Sequence, residues 1–226
     1  MPSYQYTSTT SIFQKKPFLD VAKKLDYTFR TFLYLLMDML EEQIFTIFDT
    51  ETTGFNAQSG DKIIEIAAIK MQGGKIIEGQ TFDMLVNPER AIPFESTQVN
   101  KITDDMVKDA PTIGLVLPQF MDFIGDSILV AHNAEFDMAF LNEALFMTNP
   151  FAQAPEAICT KILSRKLNPN EKFHNLDTLT YRYKIEAPAE GRHRALTDVY
   201  MLAKVFEKLL EEARVTTVDE LKKLAR

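Results

Sequence analysis

One cysteine, Cys159, is all the chain has. That excludes an internal disulfide and any cysteine-rich zinc site, and it suits a reducing compartment. Long apolar runs are missing too. The most apolar stretch near the start, Thr31 to Met37, is bounded by Arg30 and Asp38 and falls far short of the ~20 residues a membrane-spanning helix needs. Residues 1–16 lack the apolar core of a secretory signal, so the expected location is cytoplasmic, with no membrane association. Positive charge is in short supply, with 25 Lys and Arg against 32 Asp and Glu and a net charge of −7. That balance argues against a protein that coats nucleic acid through bulk electrostatics. It leaves room for a local groove around an acidic metal site, because such a site itself adds negative charge. No internal repeat is visible. What is present, 46% hydrophobic and 25% charged residues in a chain of 226, suits one main globular domain with an appendage.

Taken in order, residues 1–16 are rich in Ser, Thr, Tyr and Gln without a hydrophobic period, as in a mobile tail. Over 17–43 the apolar residues Phe18, Leu19, Ala22, Leu25, Phe29, Phe32, Leu33, Leu36, Met37 and Leu40 recur at spacings of three and four. This predicts an amphipathic helical extension, with Pro17 in its first turn. Such a helix needs a cover, either the following domain or a docking partner. The main domain is expected over 44–213. It opens with a strand through Phe45–Phe48, a second over Asp61–Met71, a Gly73-Gly74 turn and a third strand over Lys75–Val86. Three successive strands with a tight turn imply an antiparallel meander. A long connection over 89–112 contains a short helical piece near Thr103–Val107. Further helices are expected over Leu115–Ile124, Glu135–Met147, Lys161–Leu167, Leu176–Tyr183 and Ala195–Ala213, with short strands at Ser127–Ala131 and Ala157–Thr160. In 214–226, Thr217-Val218-Asp219-Glu220 has the form of a capping box and predicts a short final helix. Strands first, then alternating helices and strands, give an α/β fold: a mixed β-sheet flanked by helices on both faces. The acids after the first strand would then lie at an edge of the sheet where a site can form.

Those acids are Asp49 and Glu51. Two apart in an extended chain, they project from one face, roughly 7 Å apart. Uncompensated charge is costly beside a buried strand, so the pair either sits beyond the strand end in solvent or serves a cation. Asp137, in the first turn of the helix after His132-Asn133, is favoured there by the helix dipole alone, and the same holds for Asp198 in the first turn of the last long helix. His193 stands five residues before Asp198, flanked by Arg192 and Arg194, which suit either phosphate contact or a solvated surface. Phe136 and Phe140, at helical spacing, read as core rather than as surfaces for base stacking.

Taken together, Asp-Thr-Glu-Thr-Thr-Gly at 49–54, His-Asn-Ala-Glu-Phe-Asp at 132–137 and His-Arg-Ala-Leu-Thr-Asp at 193–198 resemble the three blocks of the DnaQ-like 3′→5′ exonucleases. The branch is the histidine-containing DEDD family, which includes the proofreading subunit of bacterial DNA polymerase III. The resemblance covers roughly residues 44–210 and implies a ribonuclease-H-like fold. It implies that Asp49, Glu51, Asp137 and Asp198 hold two divalent cations, Mg²⁺ or Mn²⁺, with Asp49 bridging and His193 as general base. Hard cations of this kind prefer carboxylate oxygen. Two of them about 3.5–4 Å apart serve phosphodiester hydrolysis, and a histidine with an unperturbed pKa of about 6.5 can take the proton of an attacking water. The resemblance also places Thr52, Gly54 and Phe55 at the terminal nucleotide, with Glu95 and Asn100 from the segment between the first two blocks. There the family's usual His-Gly is replaced by Asn100-Lys101, which removes an easy positive-φ residue and implies a differently shaped loop.

The resulting expectation is a metal-dependent 3′→5′ exonuclease acting on DNA 3′ ends in replication proofreading or repair. The alternatives are an RNA-directed exoribonuclease, a non-catalytic docking module of the same fold, and a magnesium phosphatase using Asp49 as nucleophile. The phosphatase normally wants Asp rather than Glu two positions on, and has no need of His193. The family's polymerase subunit carries a longer C-terminal tail than follows the last long helix here. A tether to a polymerase or another protein would therefore fall to residues 1–43.

Overall fold

The computed structural model describes residues 39–149, 151–186 and 194–226. The tail and nearly all of the helical extension expected before the domain lie outside these. Its last residues do not continue a helix. Met39 forms an isolated antiparallel bridge with Thr217, Leu40–Glu42 make one 3-10 turn, and the Leu40 N–H donates to the Thr216 carbonyl at 2.9 Å.

A five-stranded mixed sheet forms the centre. Strands β1 (Ile44–Thr52), β2 (Ile63–Gln72) and β3 (Lys75–Leu85) make the antiparallel meander that the sequence predicts. Gly73 and Gly74 turn the chain between β2 and β3 at φ of 55° and 74°, where a side chain would be strained. Strands β4 (Ile128–Ala131) and β5 (Ala157–Cys159) add in parallel on the other side of β1, giving the order β3-β2-β1-β4-β5. β1 is therefore the central strand, and its acids emerge at its carboxyl end rather than along a side edge of the sheet. Parallel sheets commonly form sites in the crevice beyond such strand ends.

The helices are α1 (Phe94–Asn100), α2 (Asp104–Val107), α3 (Ile113–Ile124), α4 (Ala134–Thr148), α5 (Thr160–Leu167), α6 (Leu176–Arg182), α7 (Ala195–Ala213) and α8 (Val218–Leu224). All but α1 stand where the sequence places a helix. That one falls inside the expected long connection. Of its seven residues only Asn100 is buried, while Phe94 and Val99 are exposed, so it has no apolar stripe to betray it. On α4, Phe140, Leu141 and Leu145 are buried and Ala139 is exposed. Phe140 is buried in the core, as the sequence predicts, and the partly buried Phe136 packs against it at 5.0 Å between ring centroids. Thr217 and Glu220 close the capping box at the start of α8.

Two cores lie on opposite faces of the sheet. Phe45, Ile47, Ala67, Ile69 and Met71 pack with residues of α5, α6, α7 and α8, including Phe206, whose ring meets Phe45 edge-on at 5.2 Å. Phe48, Ile66, Ala68 and Phe82 pack with residues of α3 and α4. Burial on both faces is why β1 and β2 read as nearly unbroken apolar runs. The period of two then fixes the chemistry. Asp49 and Glu51 continue the register of Phe45 and Ile47 on the α7 face, while Thr50 continues that of Phe48 on the α4 face.

Candidate active site

Asp49, Glu51 and Asp198 converge at the carboxyl end of β1. Each offers one carboxylate oxygen within a group whose members all lie within 4.8 Å of one another. Asp198 comes from the first turn of α7, which packs across β1 and β2. Such crowding disfavours ionisation. Burial first, then the charges of Asp137, Glu51, Asp198 and Glu65, hold the Asp49 carboxyl well above its ordinary range. Glu51 is pushed up to about 8 by burial and by Glu65, Asp198 and Asp137, against a smaller downward pull from Arg194. An all-oxygen donor set whose members repel one another fits a hard divalent cation.

Asp137 stands apart from that group of three. In the first turn of α4 and 2% exposed, its Oδ1 accepts the Thr50 backbone N–H at 3.1 Å and the Thr50 hydroxyl at 2.7 Å. Burial pushes it up to about 7, with the Thr50 donors pulling the other way. After burial, its charge is the largest influence on Asp49. It therefore flanks the cluster from the opposite face of the sheet, anchored to the residue between Asp49 and Glu51. His193 and Arg192 lie outside the described residues. Arg194, where the described chain resumes, pairs with Glu65.

These raised pKa values set a pH dependence. A carboxyl that holds its proton more tightly when folded contributes stability that is complete below its unfolded pKa and is lost as pH rises through the folded value. For Glu51 and Asp137 that window runs from about 4.5 to about 8 and from 3.8 to about 7. The metal-free protein should lose melting temperature from pH 5 to pH 8, and millimolar Mg²⁺ should restore it at pH 8. Thermal unfolding with and without chelator checks this. A flat profile in chelator would contradict the crowding.

Thr52 ends β1, and Gly54 and Phe55 lie in the turn that follows. The Thr52 hydroxyl donates to the Gly54 carbonyl at 2.6 Å, and Phe55 is 90% exposed. Glu95 is exposed in the first turn of α1, and its neighbour Ser96 donates to the Thr53 carbonyl at 2.8 Å. Asn100 is buried. Its Oδ1 accepts the Ile102 N–H at 3.0 Å and its Nδ2 lies 3.5 Å from the Thr52 carbonyl. Lys101 nonetheless takes the left-handed conformation, at φ 62°, as C-cap of α1. The positive φ that glycine takes easily is carried here by an exposed lysine at the helix end, at a cost in backbone strain.

Two acids escaped the sequence reading. Asp61 braces the turn, with its Oδ2 accepting the Asn56 N–H at 3.0 Å. A Cβ on Gly54 would come within 2.3 to 2.6 Å of the Asp61 carboxylate. Gly54→Ala must expel that carboxylate, and we expect a loss of ~1–3 kcal/mol, read as a lower melting temperature. Glu65 sits in the middle of the apolar run of β2, opposite Glu51, and is 1% exposed. An acid between Ile64 and Ile66, inside an apolar run, was the signal available for it.

The exonuclease family profile matches residues 46–206. The chain belongs to the exonuclease family. Among curated proteins, the exonuclease is 42% identical over 171 residues to a DNA polymerase III subunit epsilon-like protein of Rhodobacter capsulatus, covering 76% of this chain and 24% of that protein. It is 37% identical over 168 residues to DNA polymerase III subunit epsilon of Rickettsia conorii, covering 73% of this chain and 72% of the relative. The chain thus spans about a quarter of the first and nearly three quarters of the second. Among solved structures, exonuclease X in complex with 5′ overhanging duplex DNA superposes with a TM-score of 0.66 at 30% identity, covering 80% of this chain and 99% of that one. The fold is the ribonuclease-H-like fold of these exonucleases, and the family depends on divalent metal. Among the described residues no helix is long and apolar enough to cross a membrane.

Proposed function

We propose that this exonuclease removes nucleotides from DNA 3′ ends by two-metal-ion hydrolysis of the terminal phosphodiester, in replication proofreading or repair. The observation that carries this reading is the convergence of Asp49, Glu51 and Asp198 within 4.8 Å, with Asp137 anchored beside them through Thr50. In this reading Asp49, Glu51, Asp137 and Asp198 would hold two Mg²⁺ or Mn²⁺ ions, Asp49 being the expected common ligand. Bound cations would supply charge stabilisation at the phosphate and a lowered pKa for water. His193 takes the proton of the attacking water, a role that neutral imidazole suits near neutral pH. Thr52, Gly54 and Phe55 seat the terminal nucleotide, with Glu95 and Asn100 alongside. The turn is held by Thr52, Asp61 and Ser96, so the nucleotide would meet a preformed surface.

The relatives named for DNA polymerase III, and the DNA bound by exonuclease X, support DNA as substrate and a polymerase as partner. We assign that partner contact to residues 1–43, and the exonuclease to the cytoplasm.

The test is 5′-labelled single-stranded DNA with Mg²⁺, beside RNA of the same sequence. The expected result is a ladder shortening stepwise from the 3′ end, faster on DNA. Faster loss from RNA would make the enzyme an exoribonuclease. No shortening of either would leave a docking module of the same fold, and phosphate release from monoesters alone would make it a phosphatase.

A further inference from the structure

Glu65 is a carboxylate opposite Glu51 to which the three sequence blocks give no role. It faces Glu51 across the β1–β2 pair and is 1% exposed. Around it on β2, Ile63, Ile64, Ile66, Ala67, Ala68 and Ile69 are all buried. A buried ion pair adds little stability over a well-packed apolar residue, so stability alone does not account for a charge at this position.

Its hydrogen bonds all run to one place. Arg194 Nε donates to Oε1 at 3.0 Å and to Oε2 at 3.2 Å, Arg194 Nη2 donates to Oε1, and the Ala195 backbone N–H donates to Oε2 at 2.9 Å. Arg194 is the N-cap residue of α7 and makes no side-chain cap of its own. The Ala195 N–H is one of the donors that a helix start leaves without an intrahelical partner. A side chain from the neighbouring strand satisfies it, and the same side chain holds the preceding residue in a two-pronged guanidinium–carboxylate grip. Asp198 lies three residues after Ala195, and its N–H bonds back to the Arg194 carbonyl at 3.1 Å. In the chain, His193 immediately precedes Arg194.

We propose that Glu65 is a positioning residue for the exonuclease reaction, which through Arg194 and the Ala195 N–H fixes the start of α7 that carries Asp198 and follows His193. This rests on the functional reading above. It commits Arg194 to Glu65 rather than to a substrate phosphate. Outer partners of ligating groups typically matter 10- to 100-fold in metal sites, and that range sets the expected effect.

The test is Glu65→Gln, which keeps the shape and removes the charge, together with Arg194→Lys, which keeps the charge and removes the fork. Rates on single-stranded DNA are measured at saturating Mg²⁺, well below the melting temperature. Glu65→Gln should lower kcat about 10-fold or more, leave KM within about threefold, and shift the pH profile of kcat. Arg194→Lys should fall between it and the wild type. Hydrogen exchange supplies a readout independent of activity: the amides of 195–199 should exchange faster in Glu65→Gln, while those of β1 and α8 stay as in the wild type. Wild-type kcat and pH profile in Glu65→Gln would overturn the proposal, as would a raised KM with unchanged kcat in Arg194→Lys, which would put Arg194 on the substrate. If Glu65→Gln fails to fold, Arg194→Lys carries the same readouts. A wild type without nuclease activity would instead sink the functional reading, leaving the exchange result to judge the contact.

Discussion

Asp49→Asn should abolish nuclease activity and leave the metal-free protein at least as stable as the wild type. Asp49 occupies the last part of the central strand, within 4.8 Å of both Glu51 and Asp198 and beside Asp137. In the proposed mechanism, removing Asp49 would withdraw charge stabilisation worth several kcal/mol at the reacting phosphate, so the rate should drop at least ~10³-fold, equivalent to about 4 kcal/mol. The stability effect has the opposite sign to that of most core substitutions. In the folded chain the Asp49 charge is opposed by Asp137, Glu51, Asp198 and Glu65, and asparagine keeps the shape while ending that repulsion. Above pH 7, in chelator, the variant should melt no lower than the wild type. Cleavage of 5′-labelled DNA and thermal unfolding measure the two halves. Wild-type turnover in this variant would remove Asp49 from the chemistry.

His193→Ala should slow cleavage by ~10²–10⁴-fold, the usual contribution of a positioned general base, while divalent-cation binding persists. The wild-type rate should rise with pH through the histidine's titration, since only the neutral imidazole can accept a proton, and level off above it. The variant should lose that rise, because with cations bound the carboxylates are already ionised. Single-turnover rates from pH 5.5 to 8.5 check both the size and the shape. An unchanged pH profile in His193→Ala would assign the base elsewhere.

Much of this architecture was legible in the sequence, for physical reasons that differ between elements. The meander of β1, β2 and β3 showed because burial on both faces writes long apolar runs and because Gly73-Gly74 marks the turn. Helix α7 showed through its period, and α8 through a capping box of four residues. Asp49 and Glu51 were legible as a pair because a strand's period of two places them on one face. Asp137 and Asp198 were ambiguous alone, since a helix N-terminus welcomes an aspartate for its own reasons. Only their company with the first pair gave them meaning.

What was hidden depends on contacts between distant residues. Helix α1 buries a single side chain and left no period to read. Glu65 lies 129 residues from Arg194, and no local pattern ties a strand glutamate to the start of a helix that far along the chain. Asp61 was read as the start of the second strand, and its place beside Gly54 appears only when the turn is closed. Lys101 takes the left-handed conformation against its propensity, as the C-cap that ends α1.

Counting Mn²⁺ bound per chain, by calorimetric titration with thymidine 5′-monophosphate present, puts the acidic cluster to the most direct test. The wild type should bind two ions, and Asp49→Asn should lose at least one of them while remaining folded. Two ions bound with wild-type affinity in Asp49→Asn would contradict a shared site built on the carboxyl end of β1.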